Sequence, residues 1–205
     1  MKSRKPTIIL FTGFLGSGKT SLLLKTIDVM IAKEKKCAII INEIGDVGID
    51  NREMRHLGYD VWDLFGGCVC CTMKVTLEAT INHLLENNPD LDYIFFEPSG
   101  MAEPESLYPA MENCGYEREE IRNVFILDPM RTGLYRVRLR ELFKHSLHLA
   151  QAVVINKIDI APEESVEEAL EMVRSEVGQM PVFKLNLKDD ALTDAFCTFI
   201  QREGD

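Results

Sequence analysis

Eight residues, Gly13-Phe14-Leu15-Gly16-Ser17-Gly18-Lys19-Thr20, follow directly on the apolar run Ile8-Ile9-Leu10-Phe11 and lead into Ser21-Leu22-Leu23. The segment fits the phosphate-loop pattern GxxxxGK[ST], and a strand before it with a helix after it is the setting in which that pattern works. This order commits the chain to an α/β fold. The glycines let backbone N–H groups turn inward around phosphate oxygens, and the helix N-terminus adds favourable positive potential. Lys19 is placed to reach the β- and γ-phosphates, and the Thr20 hydroxyl to ligate Mg²⁺. A glycine-rich turn that matches by chance is the bland alternative, and the flanking elements weigh against it.

The rest of the chain repeats that alternation. Strands are expected at Thr7–Thr12, Cys37–Asn42, Val61–Phe65, Tyr93–Phe96, Asn123–Leu127, Ala152–Ile155 and Val182–Leu185. Several are continuous Ile, Val and Phe runs, the mark of strands buried on both faces. Helices are expected at Lys19–Lys33, Lys74–Glu86, Leu134–Leu149, Glu163–Val177 and Ala191–Ile200. The pattern predicts a P-loop NTPase of three αβα layers, with a mostly parallel sheet of about seven strands. With 205 residues it is expected to form a single GTP-binding domain over 1–205, with no room for an appended one.

Charge and apolar patterning remove other classes. A formal charge of −10 runs against a nucleic-acid surface, which needs clustered Lys and Arg. No apolar stretch approaches the roughly 20 residues needed to span a bilayer. The expected compartment is the cytoplasm, where clustered cysteines point to metal or redox chemistry rather than structural disulfides.

Two further segments extend the nucleotide reading. In Tyr93-Ile94-Phe95-Phe96-Glu97-Pro98-Ser99-Gly100, Glu97 ends a buried strand, where an acid supports Mg²⁺. Gly100 can bring its N–H against a γ-phosphate without a Cβ in the way. In Asn156-Lys157-Ile158-Asp159, Asp159 can accept bonds from the guanine N1–H and the adjacent 2-amino group, where adenine offers an acceptor at N1 and no amine. The stem of Lys157 can lie along the base, and Asn156 can brace the loop. Between them, Asn42–Asp50 carries acids and glycines out of the second strand. Glu43 and Asp46 are candidates to approach Mg²⁺ or orient the attacking water.

Three of six cysteines fall in Cys68-Val69-Cys70-Cys71, directly after Gly66-Gly67. Thiolates favour Zn²⁺ and similarly soft ions, and three of them leave a fourth position for water, a carboxylate, His83 or a partner protein. Buried small apolar residues and a redox switch are the competing readings. If the segment is extended, Cys68 and Cys70 share a face.

Together, GFLGSGKT, NEIGDVGID, GGCVCC, EPSG and NKID resemble the CobW group of GTPases, relatives of the UreG and HypB nickel-insertion proteins. The resemblance implies a slow GTPase, stimulated by metal or client, that delivers Zn²⁺, Co²⁺ or Ni²⁺ to a client metalloprotein or corrinoid protein. It implies GTP and Mg²⁺ contacts at Gly16, Ser17, Gly18, Lys19, Thr20 and Ser21, a Walker-B-type role for Glu97, and guanine recognition by Asn156, Lys157 and Asp159. It also implies metal on Cys68, Cys70 and Cys71 and a GTP-dependent homodimer. Against the group's usual pattern, this sequence is expected to lack a C-terminal domain and its His-rich stretch. A non-catalytic redox or zinc sensor that binds GTP, and a P-loop small-molecule kinase, are the alternatives.

Overall fold

The computed structural model describes residues 5–41, 61–63, 70–99, 104–188 and 191–201, with backbone alone for 61–63 and 70–75. Its strands are β1 (Thr7–Gly13), β2 (Cys37–Ile41), β3 (Val61–Asp63), β4 (Tyr93–Glu97), β5 (Arg122–Leu127), β6 (Ala152–Ile155) and β7 (Val182–Lys184). Among them run helices α1 (Lys19–Ala32), α2 (Cys70–Asn87), α3 (Tyr108–Asn113), α4 (Thr132–Val137), α5 (Arg140–His148), α6 (Glu163–Val177) and α7 (Asp194–Gln201). The strands hydrogen-bond in the order β3-β2-β4-β1-β5-β6-β7. All the registered pairs run parallel, as the unbroken apolar runs predict.

The chain divides into two compact units, one of Met1–Leu10 and Ile27–Arg122, the other of Phe11–Thr26 and Asn123–Glu203. In the first, β2 and β4 pair from Cys37↔Tyr93 to Ile41↔Glu97, and β1 pairs with β4 from Thr7↔Tyr93 to Leu10↔Phe96. Ile39, Ile40, Ile94, Phe95 and Phe96 are buried there, so these strands are apolar on both faces.

In the second unit, aromatic packing organises the core. Phe14, on the phosphate loop, stacks on Tyr135 of α4 with ring centroids 4.9 Å apart. Tyr135 stacks in turn on Phe143 of α5 at 5.5 Å, and Phe125 of β5 meets Phe14 and Phe143 edge-on. Each such ring contact adds stabilisation beyond area burial. Helix α6 completes this core with Val166, Ala169, Leu170 and Val173, spaced i, i+3, i+4, i+7 along one face. Pro162 precedes it, Glu163 and Glu164 favour its positive end, and Gly178 at φ +65° ends it.

Two expected helices need correction. The single helix expected over Leu134–Leu149 is broken into α4 and α5: the Arg138 and Leu139 N–H groups both turn back onto the Leu134 carbonyl. The break accompanies the near-parallel stacking of Tyr135 on Phe143, at an interplanar angle of 2°. The helix expected from Lys74 begins instead at Cys70. The pattern also passed over the short helix α3 and the 3-10 turn Pro129–Arg131. Among the described residues no helix is long and apolar enough to cross a membrane.

Phe125→Ala is expected to cost about 3–5 kcal/mol in urea unfolding, as a large buried ring leaves a cavity. Val137→Ala, at a residue 78% exposed, should stay within about 0.5 kcal/mol. A pH series tests the first unit. Burial, with the Asp92 charge second, pushes the Cys37 thiol up to about 12. Burial, with Glu78 second, pushes the Cys114 thiol up to about 11. Below the ordinary value of 9.0 both thiols are neutral in either state and their contribution is intact. Above it the unfolded chain ionises first, so stability should fall from pH 9.0 up to about 12, less steeply in Cys37→Val.

Candidate functional site

The phosphate loop joins the C-terminal end of β1 to α1, and its path is fixed by glycines that admit no side chain. A Cβ on Gly13 (φ +141°) would lie 2.4 Å from the Ile126 carbonyl oxygen. One on Gly18 (φ +104°) would lie 2.2 Å from Asn156 Nδ2. Both conformations also disfavour any L side chain.

Three consecutive loop carbonyls are each answered by a side chain of the same unit. Leu15 O accepts from Arg131 Nη1 at 2.7 Å, Gly16 O from Lys157 Nζ at 2.7 Å, and Ser17 O from Asn156 Nδ2 at 2.9 Å. A trans peptide is planar, so fixing a carbonyl fixes the following N–H in the opposite direction. The Gly16 and Gly18 N–H groups are therefore turned away from these donors. Ser17 N closes a turn on Phe14 O at 3.1 Å, and Leu22 N begins the helical ladder on Gly18 O at 3.0 Å. Ser17 Oγ is buried and has no hydrogen-bond partner among the described residues. Lys19 is buried in the first turn of α1, Thr20 is half-buried beside it, and Ser21 is exposed.

The Asn156–Asp159 loop follows β6. Asn156 is buried and uses both ends of its amide, since its Oδ1 also accepts from Leu187 N at 3.3 Å. Lys157 adopts φ +61°, a left-handed conformation uncommon for a residue with a Cβ. Its ammonium is held between Gly16 O and Asp128 Oδ2, the latter at 2.8 Å. Asp159 is exposed in the turn beyond.

Sequence reasoning passed over Asp128 and Arg131. Asp128 is 1% exposed; its Oδ1 accepts from Met130 N at 3.0 Å and its Oδ2 lies 3.6 Å from Arg131 Nε. The available signal was the one that singled out Glu97, an acid at the end of a buried strand.

The remaining predicted residues that the structure describes belong to the other unit. Glu97 is buried at the end of β4, in register with Ile41. Cys70 and Cys71 are the first two residues of α2, in helical rather than extended backbone. Cys68, Glu43, Asp46 and Gly100 lie outside the described residues. His83, considered as a fourth ligand, lies on the same helix 12 residues after Cys71, about 18 Å along it at 1.5 Å per residue. It cannot share an ion with that cysteine. Its Nδ1 is instead 3.2 Å from Asn87 Nδ2.

Known proteins resemble this chain over most of its length. The zinc chaperone CobW of Pseudomonas aeruginosa is 30% identical over 215 residues, covering 86% of this chain and 54% of its own length. The zinc chaperone YeiR of Escherichia coli is 34% identical over 164 residues, covering 79% of this chain and 49% of its own. The chain thus spans about half the length of the curated relatives it matches. Among solved structures, nickel-bound HypB from Helicobacter pylori superposes with a TM-score of 0.69 at 18% identity, covering 95% of this chain and 85% of that one. A zinc-bound triple mutant of the YjiA GTPase gives 0.61 at 20%, covering 94% and 61%. At these identities the likeness is one of fold, the P-loop α/β architecture. The sequence profile of the CobW/HypB/UreG nucleotide-binding domain matches residues 7–184, and the chain belongs to that family.

Proposed function

We propose that this chain is a GTP-hydrolysing metal-handling switch, in which GTP binding and turnover govern a metal ion held at Cys68, Cys70 and Cys71 and passed to a client. The observation that carries the nucleotide half is the row of loop carbonyls 15–17, each held from behind by a donor. That leaves the Gly16 and Gly18 N–H groups directed away from the donors, and the buried Ser17 hydroxyl, without a partner among the described residues, fits a polar ligand. The curated relatives are named as zinc chaperones, and a yeast relative as a zinc-regulated GTPase metalloprotein activator, which supports the metal half.

Each residue then has a role. Gly16, Ser17, Gly18 and Lys19 bind the phosphates, with Ser21 beyond them. Thr20 and Glu97 serve the Mg²⁺ ion, whose chemistry is to neutralise charge developing on the β- and γ-oxygens. Glu43 and Asp46 orient the attacking water. Asn156 and Lys157 tie the base loop to the phosphate loop, and Asp159 pairs with guanine. Gly100 meets the γ-phosphate.

Zn²⁺, Co²⁺ or Ni²⁺ is the cargo rather than a resident cofactor. Cys70 and Cys71 open an 18-residue helix, where the macrodipole favours negative charge such as a thiolate. A client metalloprotein or corrinoid protein receives the ion in the cytoplasm, from a chain that pairs in its GTP state. All of this is proposed for a single GTP-binding domain over 1–205.

Two measurements test the reading. Asp159→Asn replaces an acceptor with an amide donor, so preference should move from GTP to XTP, whose 2-oxo group accepts. A change on the order of 10²-fold in the ratio of dissociation constants is expected. Second, saturating Zn²⁺ should change the affinity for a non-hydrolysable GTP analogue, and the analogue should change Zn²⁺ affinity by the same factor. Replacing Cys68, Cys70 and Cys71 with serine should abolish both effects. Unchanged affinities would sink the switch, and absent hydrolysis with metal and client present would favour a sensor.

A further inference from the structure

Arg131 follows β5 in Asp128-Pro129-Met130-Arg131, a segment that belongs to none of the nucleotide motifs. Its side chain is 44% exposed, and its 3.6 Å pairing with Asp128 would ordinarily be read as a surface ion pair of little consequence. Its other contact changes that reading. Nη1 donates to the Leu15 carbonyl at 2.7 Å, 116 residues earlier in the chain. The guanidinium also packs against Gly16, where an added Cβ would meet Nη2 at 3.4 Å.

Asp128 explains how an exposed arginine is held there. Its carboxylate is buried, fixed by the Met130 N–H, and shared with the Lys157 ammonium at 2.8 Å. Arg131 and Lys157 thus grip adjacent carbonyls, Leu15 and Gly16, while leaning on one anion. A guanidinium keeps several donors in one rigid plane, so a single side chain can answer the carbonyl and face the carboxylate together. With Leu15 O fixed, the Gly16 N–H is directed the other way. Leu15 itself is 73% exposed and supplies no packing to do this job.

We propose that Arg131, braced by Asp128, is a positioning residue that sets the Leu15–Gly16 peptide for phosphate binding before nucleotide arrives. It acts through the loop and touches no ligand. This rests on the nucleotide-binding reading above. A loop already in its binding conformation pays less ordering cost when ligand binds.

The test uses the full chain and calorimetric titrations of GDP, ADP and pyrophosphate, with Mg²⁺ present throughout. In Arg131→Met the dissociation constants for GDP and for pyrophosphate should both rise about tenfold, the loss of one charge-assisted hydrogen bond. The GDP-to-ADP preference should stay as in the parent, because Asn156 and Lys157 keep their own bonds. Arg131→Lys, which keeps a cation but not the fork, should recover part of the loss. The thermal midpoint of the unliganded variant should move by no more than a few degrees, as for other exposed substitutions. Unchanged GDP and pyrophosphate binding in Arg131→Met would overturn the inference alone. So would a loss confined to GDP, or one accompanied by lost base preference. A parent chain that binds neither GDP nor GTP would overturn the proposed function and this inference with it.

Discussion

The carbonyls of the phosphate loop have to be answered from elsewhere in the chain, and the second unit supplies the answers to three in a row. Of the three, the Ser17 carbonyl is answered in buried surroundings, where an unmatched acceptor costs about 1–3 kcal/mol, while those of Leu15 and Gly16 lie near solvent. Here the answers come from three separate side chains, Arg131, Lys157 and Asn156. None is a neighbour of the loop in sequence. Two of them are cations, and the buried Asp128 carboxylate lies against both, which keeps their charge from going uncompensated behind the loop.

That polar layer sits on an apolar one. Phe14 belongs to the loop by sequence and to the core by packing, stacked on Tyr135 with Phe125 at its edge. Interiors packed to this degree do not deform gradually, so the loop's position is inherited from the core. The break between α4 and α5 has its place in the same arrangement, because it sets the Tyr135 and Phe143 rings in parallel. Helix α6 then closes the core with an apolar stripe whose spacing is written plainly in the sequence.

What was legible in the sequence was whatever depends on local order. The glycines of the loop, the apolar strand before it, and the Val166–Val177 periodicity need no partner to be recognised, and each is found where it was expected. Asp128 and Arg131 were not legible, because their meaning lies in Leu15, Gly16 and Lys157, far away along the chain. The α4–α5 break was hidden for a related reason. Its residues have no glycine or proline between Leu134 and Leu149, and tertiary stacking overrode local propensity. The cysteines fall between these cases. Their clustering marked them, but their spacing alone gave no sign that α2 starts at Cys70.

The distances along the chain between the loop carbonyls and their donors have a consequence for biosynthesis. Thr20 and Lys157 are separated by 137 positions, 157 minus 20, so a ribosome adding about 5–20 residues per second takes on the order of ten seconds to travel from one to the other. Until Arg131 is made the emerging loop has glycines but none of the three donors behind its carbonyls, and the set is complete only at Lys157. Parallel pairing imposes a delay of the same kind, because β1 waits for β4 to be made. The phosphate loop is therefore made well before its carbonyls can be answered, and the last of its donors exists only once Lys157 has been added.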